Sequence, residues 1–459
     1  MTLITSISGI RGTIGGRPGE GLTPPDVVKF CAAFASIVQE RKGGARCKVV
    51  IGRDARLSGG MVNQLVCATL CGMGIDVVDL GLSTTPTVEM AVPWEGADAG
   101  IILTASHNPI QWNALKLLND KGEFISAEEG SLVLEKARDG AFSFAEVEQL
   151  GSYVERTDAI AKHIEAILAL PLVDKKAIAS RNFTVAVDAV NSTGGLAVPA
   201  LLEALGVKKI EKLYCDPTGR FPHNPEPLPE HLVDISATVK DKGCDLGIVV
   251  DPDVDRLALV CEDGSMFGEE YTLVAVSDYV LQNQQGNTVS NMSSTRALRD
   301  VTETHGGKYF SSAVGEVNVV KMMKEKNALI GGEGNGGVIY PELHYGRDAL
   351  AGIALFLSHL AKSGKSCKEL RQSYPEYFIS KNKIELDPSV DVDKWLSRVT
   401  EIYKEQQLNL IDGVKIEFEK EWVHLRRSNT EPIVRVYAEG ATAERADALA
   451  KEVMNKITS

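Results

Sequence analysis

Short apolar runs such as Ile101-Ile102-Leu103, Ile248-Val249-Val250 and Ala328-Leu329-Ile330 alternate along the chain with longer stretches whose apolar positions recur at helical spacing. The runs read as buried strands and the longer stretches as helices. Up to about residue 155 the pattern predicts strands at 4–10, 47–51, 75–80, 101–103 and 115–118. Helices are predicted at 24–39, with Pro24 near the first turn, at 57–71, from 86 and at 127–136. The alternation restarts after a predicted helix at 157–168, with strands at 183–187, 210–214 and 246–250 and a helix at 231–242. It restarts again at Leu257, whose strand turns back at Glu262-Asp263-Gly264 and is followed by helices near 270–282, 295–305 and 317–326.

From about residue 375 the character changes. Val414-Lys415-Ile416-Glu417-Phe418 alternates with period two, strands are predicted at 422–425 and 433–438, and a last helix at 442–454. The expected architecture is α/β: three similar mixed α/β domains, followed by a smaller α+β C-terminal domain around a central cleft. The expected boundaries are 1–155, 156–256, 257–370 and 371–459. A length of 459 residues suits such a division, since one hydrophobic core rarely serves so long a chain.

Composition narrows the function classes. The chain is 44% hydrophobic and 24% charged with a formal net charge of -13, and it has no long run of either sign. Backbone recognition of nucleic acid needs clustered Lys and Arg, so nucleic acid is not the expected partner. No apolar stretch is long enough for a membrane span and the N-terminus lacks a signal-peptide pattern. With eight scattered cysteines and no Cys-x-x-Cys, a cytoplasmic enzyme with free thiols is expected.

Four loops carry the candidate chemistry. Thr104-Ala105-Ser106-His107-Asn108-Pro109 follows an apolar run and displays a hydroxyl and an imidazole, although the same residues also suit a capping loop. Asp251-Pro252-Asp253-Val254-Asp255-Arg256 leaves another strand with carboxylates at alternate positions, a donor set for Mg²⁺, Mn²⁺ or Ca²⁺. A phosphoryl group on Ser106 would supply a further ligand to such an ion. Lys116 is a candidate proton carrier if burial and a guanidinium lower its pKa, or else a surface lysine.

Glu333 and Asn335, set among five glycines at 331–337, suit sugar hydroxyls or a structural turn. Arg426, Arg427, Ser428, Asn429 and Thr430 form an anion cradle or a polar hairpin, with Arg435 adding charge from the next strand. Gly52-Arg53-Asp54-Ala55-Arg56-Leu57-Ser58-Gly59 either orients the Ser106 loop through ionic contacts or caps the next helix. His344, Arg347 and Asp348 are local structure or substrate wall.

In this order and with these motifs the chain resembles the alpha-D-phosphohexomutases, most closely the archaeal-type phosphoglucosamine mutases, over essentially its whole length. The resemblance implies a phosphorylated Ser106, Mg²⁺ held by Asp251, Asp253 and Asp255 with the Ser106 phosphate, and Arg256, Arg11 and His107 beside them. It further implies proton transfer by Lys116, sugar contacts from Glu333 and Asn335, and phosphate contacts from Arg426, Ser428, Asn429 and Thr430. The implied reaction passes through a hexose 1,6-bisphosphate that reorients before returning a phosphate to Ser106. Small sugar phosphates are the expected partners; monomer and homodimer stay open.

Two departures bear on the sugar. Asn335 stands where the family usually has Ser, which changes the donor pattern. Glu316, in Val314-Gly315-Glu316-Val317-Asn318, could attract a protonated 2-amino group, although Glu also simply favours a helix start. The expectation is interconversion of glucosamine 6-phosphate and glucosamine 1-phosphate, with phosphomannomutase/phosphoglucomutase activity as the alternative.

Overall fold

Val49, Val50 and Ile51 are completely buried in the strand Lys48–Arg53 because helices cover both faces of the sheet it occupies. That strand is central to the first of four sheets in the computed structural model, which describes residues 1–6, 9–385, 391–427 and 433–458. The chain divides into two units. Met1–Thr272 with Gly336–Lys368 forms one, and Leu273–Asn335 with Glu369–Ser459 the other.

The first unit holds two sheets. Its seven-stranded sheet contains β1 (Leu3–Ser6), β2 (Gly9–Thr13), β3 (Lys48–Arg53), β4 (Asp76–Leu82), β5 (Ala99–Leu103), β6 (Trp112–Leu118) and β7 (Tyr153–Glu155), in the order β1-β2-β6-β5-β3-β4-β7. Parallel pairing joins β5, β3, β4 and β7; β6, β2 and β1 continue antiparallel. β7, which follows the acidic stretch Glu146-Val147-Glu148, is too short and too exposed to show as an apolar run.

The second sheet contains β8 (Thr184–Asp188), β9 (Lys209–Leu213), β10 (Leu246–Val250) and β11 (Leu257–Cys261), in the order β11-β10-β8-β9. Here the expected division at 256 needs correction. β11 pairs antiparallel with β10, Val250 opposite Leu257, so the strand after Arg256 completes the second sheet and does not open a third. Two apolar strands flanking a loop read alike whether they pair with each other or part company; the pairing decides. Helix Ala349–Ser363 packs in this unit against helices Ala159–Leu168, Lys175–Arg181 and Gly194–Leu205.

In the second unit, Asn287–Asn291 pairs in parallel with both Tyr309–Ser312 and Ala328–Glu333. A separate antiparallel sheet of five strands has Phe378–Glu385 and Gln407–Asn409 at its edges, with helices Val392–Ile402 and Ala443–Thr458 packed on its core. Phe378–Glu385 is one of its longest strands and was not apparent from the sequence, because Lys381, Asn382 and Lys383 interrupt its apolar alternation. Buried Glu439 ties this sheet to helix Ala297–Thr304, accepting from the Arg296 backbone N–H and from Trp422 Nε1.

Candidate active site

β5 ends at Leu103, and the next three residues bring a hydroxyl into the interior: Ser106 is 4 % exposed. Its φ of 49° lies in the left-handed region, which a side-chain-bearing residue adopts at a cost of about 1–2 kcal/mol. Local contacts hold it there. Thr104 Oγ1 accepts the Ser106 N–H at 2.9 Å and donates to Asp54 at 2.7 Å. Arg56, completely buried, donates to the backbone carbonyls of Ser106, Asn108, Pro109 and Trp112 and pairs with Asp54 at 3.0 Å. Of the two readings of the 52–59 segment, the structure therefore supports the one in which it orients the Ser106 loop.

Ser106 Oγ donates to Asp251 Oδ2 at 2.8 Å, across 145 residues of sequence. Asp251, Asp253 and Asp255 are all fully buried, and one oxygen from each lies within 4.8 Å of the others. The loop is wound tightly: Asp251 Oδ1 accepts the N–H groups of Asp255 and Arg256, and Val254 sits at a φ of 64°, rare for a β-branched residue. Asp253 Oδ2 takes hydrogen bonds from Thr85 Oγ1 at 2.6 Å and Lys116 Nζ at 2.7 Å, and Asp255 Oδ2 from Arg347 at 2.7 Å.

Oδ1 of Asp253 and Oδ1 of Asp255 are buried without a hydrogen-bond partner, an expensive state for a carboxylate oxygen in a protein interior. An all-oxygen set with such atoms fits a hard divalent cation. Burial, then the charges of Asp255 and Asp253, push Asp251 well above the usual carboxylate range. Burial also acts on Asp253, but Lys116 and its hydrogen bond prevail and hold that carboxyl below its ordinary value.

The condition set for Lys116 as a proton carrier, a lowered pKa, is not met, and the surface-lysine reading is not met either, since Lys116 is buried. Burial does lower it, but Asp253 and Asp255, at 2.7 and 3.6 Å, outweigh burial and Arg347 together, so it is raised. His107 goes the other way. Burial, then the charges of Arg256 and Arg11, push it down to about 2, leaving a neutral ring whose Nδ1 lies 3.3 Å from Ser106 Oγ. Arg11 donates to Asn108 Oδ1 at 2.8 Å, and Arg256 faces Glu226 at 3.7 Å with its Nε buried and unbonded. Thr85 and Arg347 complete the group; no sequence signal singled out Thr85.

The remaining expected residues lie in the second unit. Glu333 ends the strand Ala328–Glu333 and its Oε1 accepts from Asn291 Nδ2 at 2.8 Å and from the Gly315 N–H at 3.1 Å, so it meets the 314–316 segment directly. Asn335 lies two residues on, and Glu316, 8 % exposed, opens helix Glu316–Lys326. Arg426 and Arg435 are opposite one another on paired strands, and Arg426 also meets Asp412 at 3.3 Å. Ser428, Asn429 and Thr430 fall outside the described residues.

Beside Arg426, burial pushes His424 down to about 4. The unfolded chain then binds the extra proton between pH 6.5 and 4, so the contribution is complete above 6.5 and is lost on acidification through 4. Unfolding followed across this window is expected to show a loss of up to about 3 kcal/mol that His424→Gln removes. An unchanged slope in the variant would contradict the assignment.

The family descriptions for phosphoglucomutase/phosphomannomutase match nearly the whole chain: alpha/beta/alpha domain I at residues 3–143, domain II at 161–264, domain III at 268–377 and the C-terminal domain at 389–456. The chain belongs to the phosphoglucomutase/phosphomannomutase family. Its fold is accordingly three α/β/α domains and a smaller α+β C-terminal domain, and its reaction class is intramolecular phosphoryl transfer on a sugar phosphate.

Among relatives of this family member, a phosphoglucomutase/phosphomannomutase of Thermococcus kodakarensis is 36% identical over 441 residues, covering 95% of each chain. A phosphoglucosamine/phosphogalactosamine mutase of Sulfurisphaera tokodaii is 30% identical over 465 residues, 99% of this chain and 98% of that one. A crystal structure of a phosphoglucomutase/phosphomannomutase family protein from Burkholderia thailandensis superposes with a TM-score of 0.86 at 27% identity, covering 99% and 96%. Among the described residues, no helix is long and apolar enough to cross a membrane.

Proposed function

We propose that the enzyme interconverts glucosamine 6-phosphate and glucosamine 1-phosphate through a phosphorylated Ser106 and a retained hexosamine 1,6-bisphosphate. The observation that carries the mechanism is the 2.8 Å contact of Ser106 Oγ with Asp251, inside a carboxylate triad with unsatisfied oxygens. In the first half-reaction the bond from Ser106 Oγ to phosphorus breaks as one from the free sugar hydroxyl forms. The intermediate then turns end for end, and its other phosphoryl group returns to Ser106.

Asp251, Asp253 and Asp255 would hold Mg²⁺, together with the Ser106 phosphate. Bound there, the ion would supply electrostatic stabilisation of charge on the transferring group. Neutral His107 lies beside the Ser106 hydroxyl, the charges of Arg256 and Arg11 act on that imidazole, and all three residues are assigned to the phosphoryl oxygens. We assign proton transfer to Lys116, which must give up its ion pair with Asp253 before it can act as a base. Glu333 and Asn335 are assigned to sugar hydroxyls, and Arg426, Ser428, Asn429, Thr430 and Arg435 to the non-reacting phosphate.

The choice of glucosamine rests on Glu316, a carboxylate suited to a substrate ammonium. Glu316→Gln is expected to lower kcat/KM for glucosamine 6-phosphate about tenfold more than for glucose 6-phosphate, the equivalent of about 1.4 kcal/mol. Equal losses on both substrates would remove the charge argument. The second reading, phosphomannomutase/phosphoglucomutase activity, is favoured by the name of the Thermococcus kodakarensis relative. Wild-type kcat/KM compared across glucosamine, glucose and mannose 6-phosphates decides between them.

A further inference from the structure

Two helices meet the carboxylate loop with their first residues. Helix Thr85–Trp94 does so through Thr85, whose N–H donates to the Asp253 carbonyl at 2.8 Å and whose hydroxyl donates to the Asp253 carboxylate at 2.6 Å. Helix Ala349–Ser363 does so through the Ala349 N–H, 3.2 Å from the Val254 carbonyl, and through the preceding Arg347, which donates to Asp255. The triad's shape is thus set by where these two helix ends stand.

A buried polar cluster behind the loop links the same two helices. Asp348 caps the second helix, its Oδ1 accepting the N–H groups of Leu350 and Ala351. Its Oδ2 lies 2.9 Å from His163 Nε2 and 3.2 Å from His344 Nε2. The other ring nitrogens face the first helix: His163 Nδ1 is 2.9 Å from Thr87 Oγ1, and His344 Nδ1 is 3.5 Å from Glu89 Oε2. His163, Thr87, Asp348 and Glu89 are all at most 2 % exposed. A carboxylate only accepts, so His163 Nε2–H donates to Asp348 while Thr87 holds the opposite nitrogen.

His163, His344 and Asp348 also have the spacing of a three-ligand metal group. Asp348 is already committed on both oxygens and His163 is hydrogen-bonded at both nitrogens, while His344 is hydrogen-bonded at Nε2 and faces Glu89 at ion-pair distance through Nδ1, so the cluster reads as a cross-brace.

We propose that His163 and His344 are positioning residues that brace helices Thr85–Trp94 and Ala349–Ser363 against each other and so set the cation affinity of the Asp251, Asp253 and Asp255 triad. Neither imidazole touches the triad. Their effect passes through Thr85 on one side and Arg347 and Ala349 on the other. The inference rests on the reading that the triad holds a divalent ion.

The test is direct Mn²⁺ binding to the full chain, read by electron paramagnetic resonance and independent of turnover. Thr87→Val removes one hydroxyl at nearly constant shape, while Thr87→Ser keeps it. Thr87→Val and His344→Gln are expected to weaken Mn²⁺ binding about tenfold, the low end of what outer-shell partners are worth, with Thr87→Ser near wild type. Circular dichroism identifies a variant that has lost its fold, and Thr87→Val decides should His344→Gln be one. Unchanged Mn²⁺ affinity in folded Thr87→Val, or Thr87→Ser as weak as Thr87→Val, would overturn the brace. Absence of Mn²⁺ binding by wild type would instead overturn the triad as a cation site.

Discussion

Ser106→Ala is expected to lower mutase turnover by at least about 10³-fold, the scale on which removal of a covalent nucleophile acts when the rest of the site remains. The substitution deletes one buried hydroxyl and leaves the loop's anchors in place, since Arg56 reaches backbone carbonyls and Thr104 reaches the residue 106 backbone N–H. The variant should therefore fold and still bind sugar phosphate while exchanging nothing. Its left-handed backbone position suits Ala no worse than Ser, so the loss cannot be assigned to new strain. Full turnover in this variant would remove the covalent route.

The second large effect is on stability. Arg56 and Asp54 are both completely buried, and the guanidinium satisfies four carbonyls of the Ser106 loop as well as its carboxylate partner. Its ring neighbour Phe221, with the guanidinium carbon 5.1 Å from the ring centroid, closes the remaining face. Arg56→Leu would remove the ion-pair partner of buried Asp54 and leave four loop carbonyls without their donor, at a cost of about 3–5 kcal/mol in urea unfolding. Burial already raises Asp54 above its ordinary value against the opposing charge of Arg56, so loss of Arg56 favours its protonation and the cost falls mainly on the unsatisfied carbonyls. Arg56→Lys keeps the charge but not the planar fork, and should recover part of the loss. A Leu variant within about 1 kcal/mol of wild type would show that the loop holds itself.

The sequence was most legible where local pattern and chemistry coincide. Ile248-Val249-Val250 feeding alternate aspartates announced a strand end and a candidate donor set, and the structure buries all three carboxylates with one oxygen of each within 4.8 Å of the others. Position 106 was legible as a displayed hydroxyl, but its contact with Asp251 is a tertiary fact that spacing could not supply. The antiparallel return of Leu257–Cys261 was missed for a related reason: an apolar strand carries no label for its partner. Lys116 shows the limit for electrostatics. A lowered pKa required burial and a nearby guanidinium to prevail, whereas Asp253 and Asp255 reverse the sign. The His163, His344 and Asp348 cluster was invisible because His163 stands 185 residues before its carboxylate partner.

The central claim is that Ser106 carries the phosphoryl group. Intact-mass and phosphopeptide analysis of the enzyme after exposure to a hexose 1,6-bisphosphate tests it most directly. The expected result is one phosphoryl group per chain, located on Ser106, whose isotopically labelled phosphorus passes into product when unlabelled hexose 6-phosphate is added in excess while the chain stays phosphorylated. A fully active enzyme with no phosphate on Ser106, or with a labelled phosphate that excess unlabelled substrate never exchanges, would contradict it.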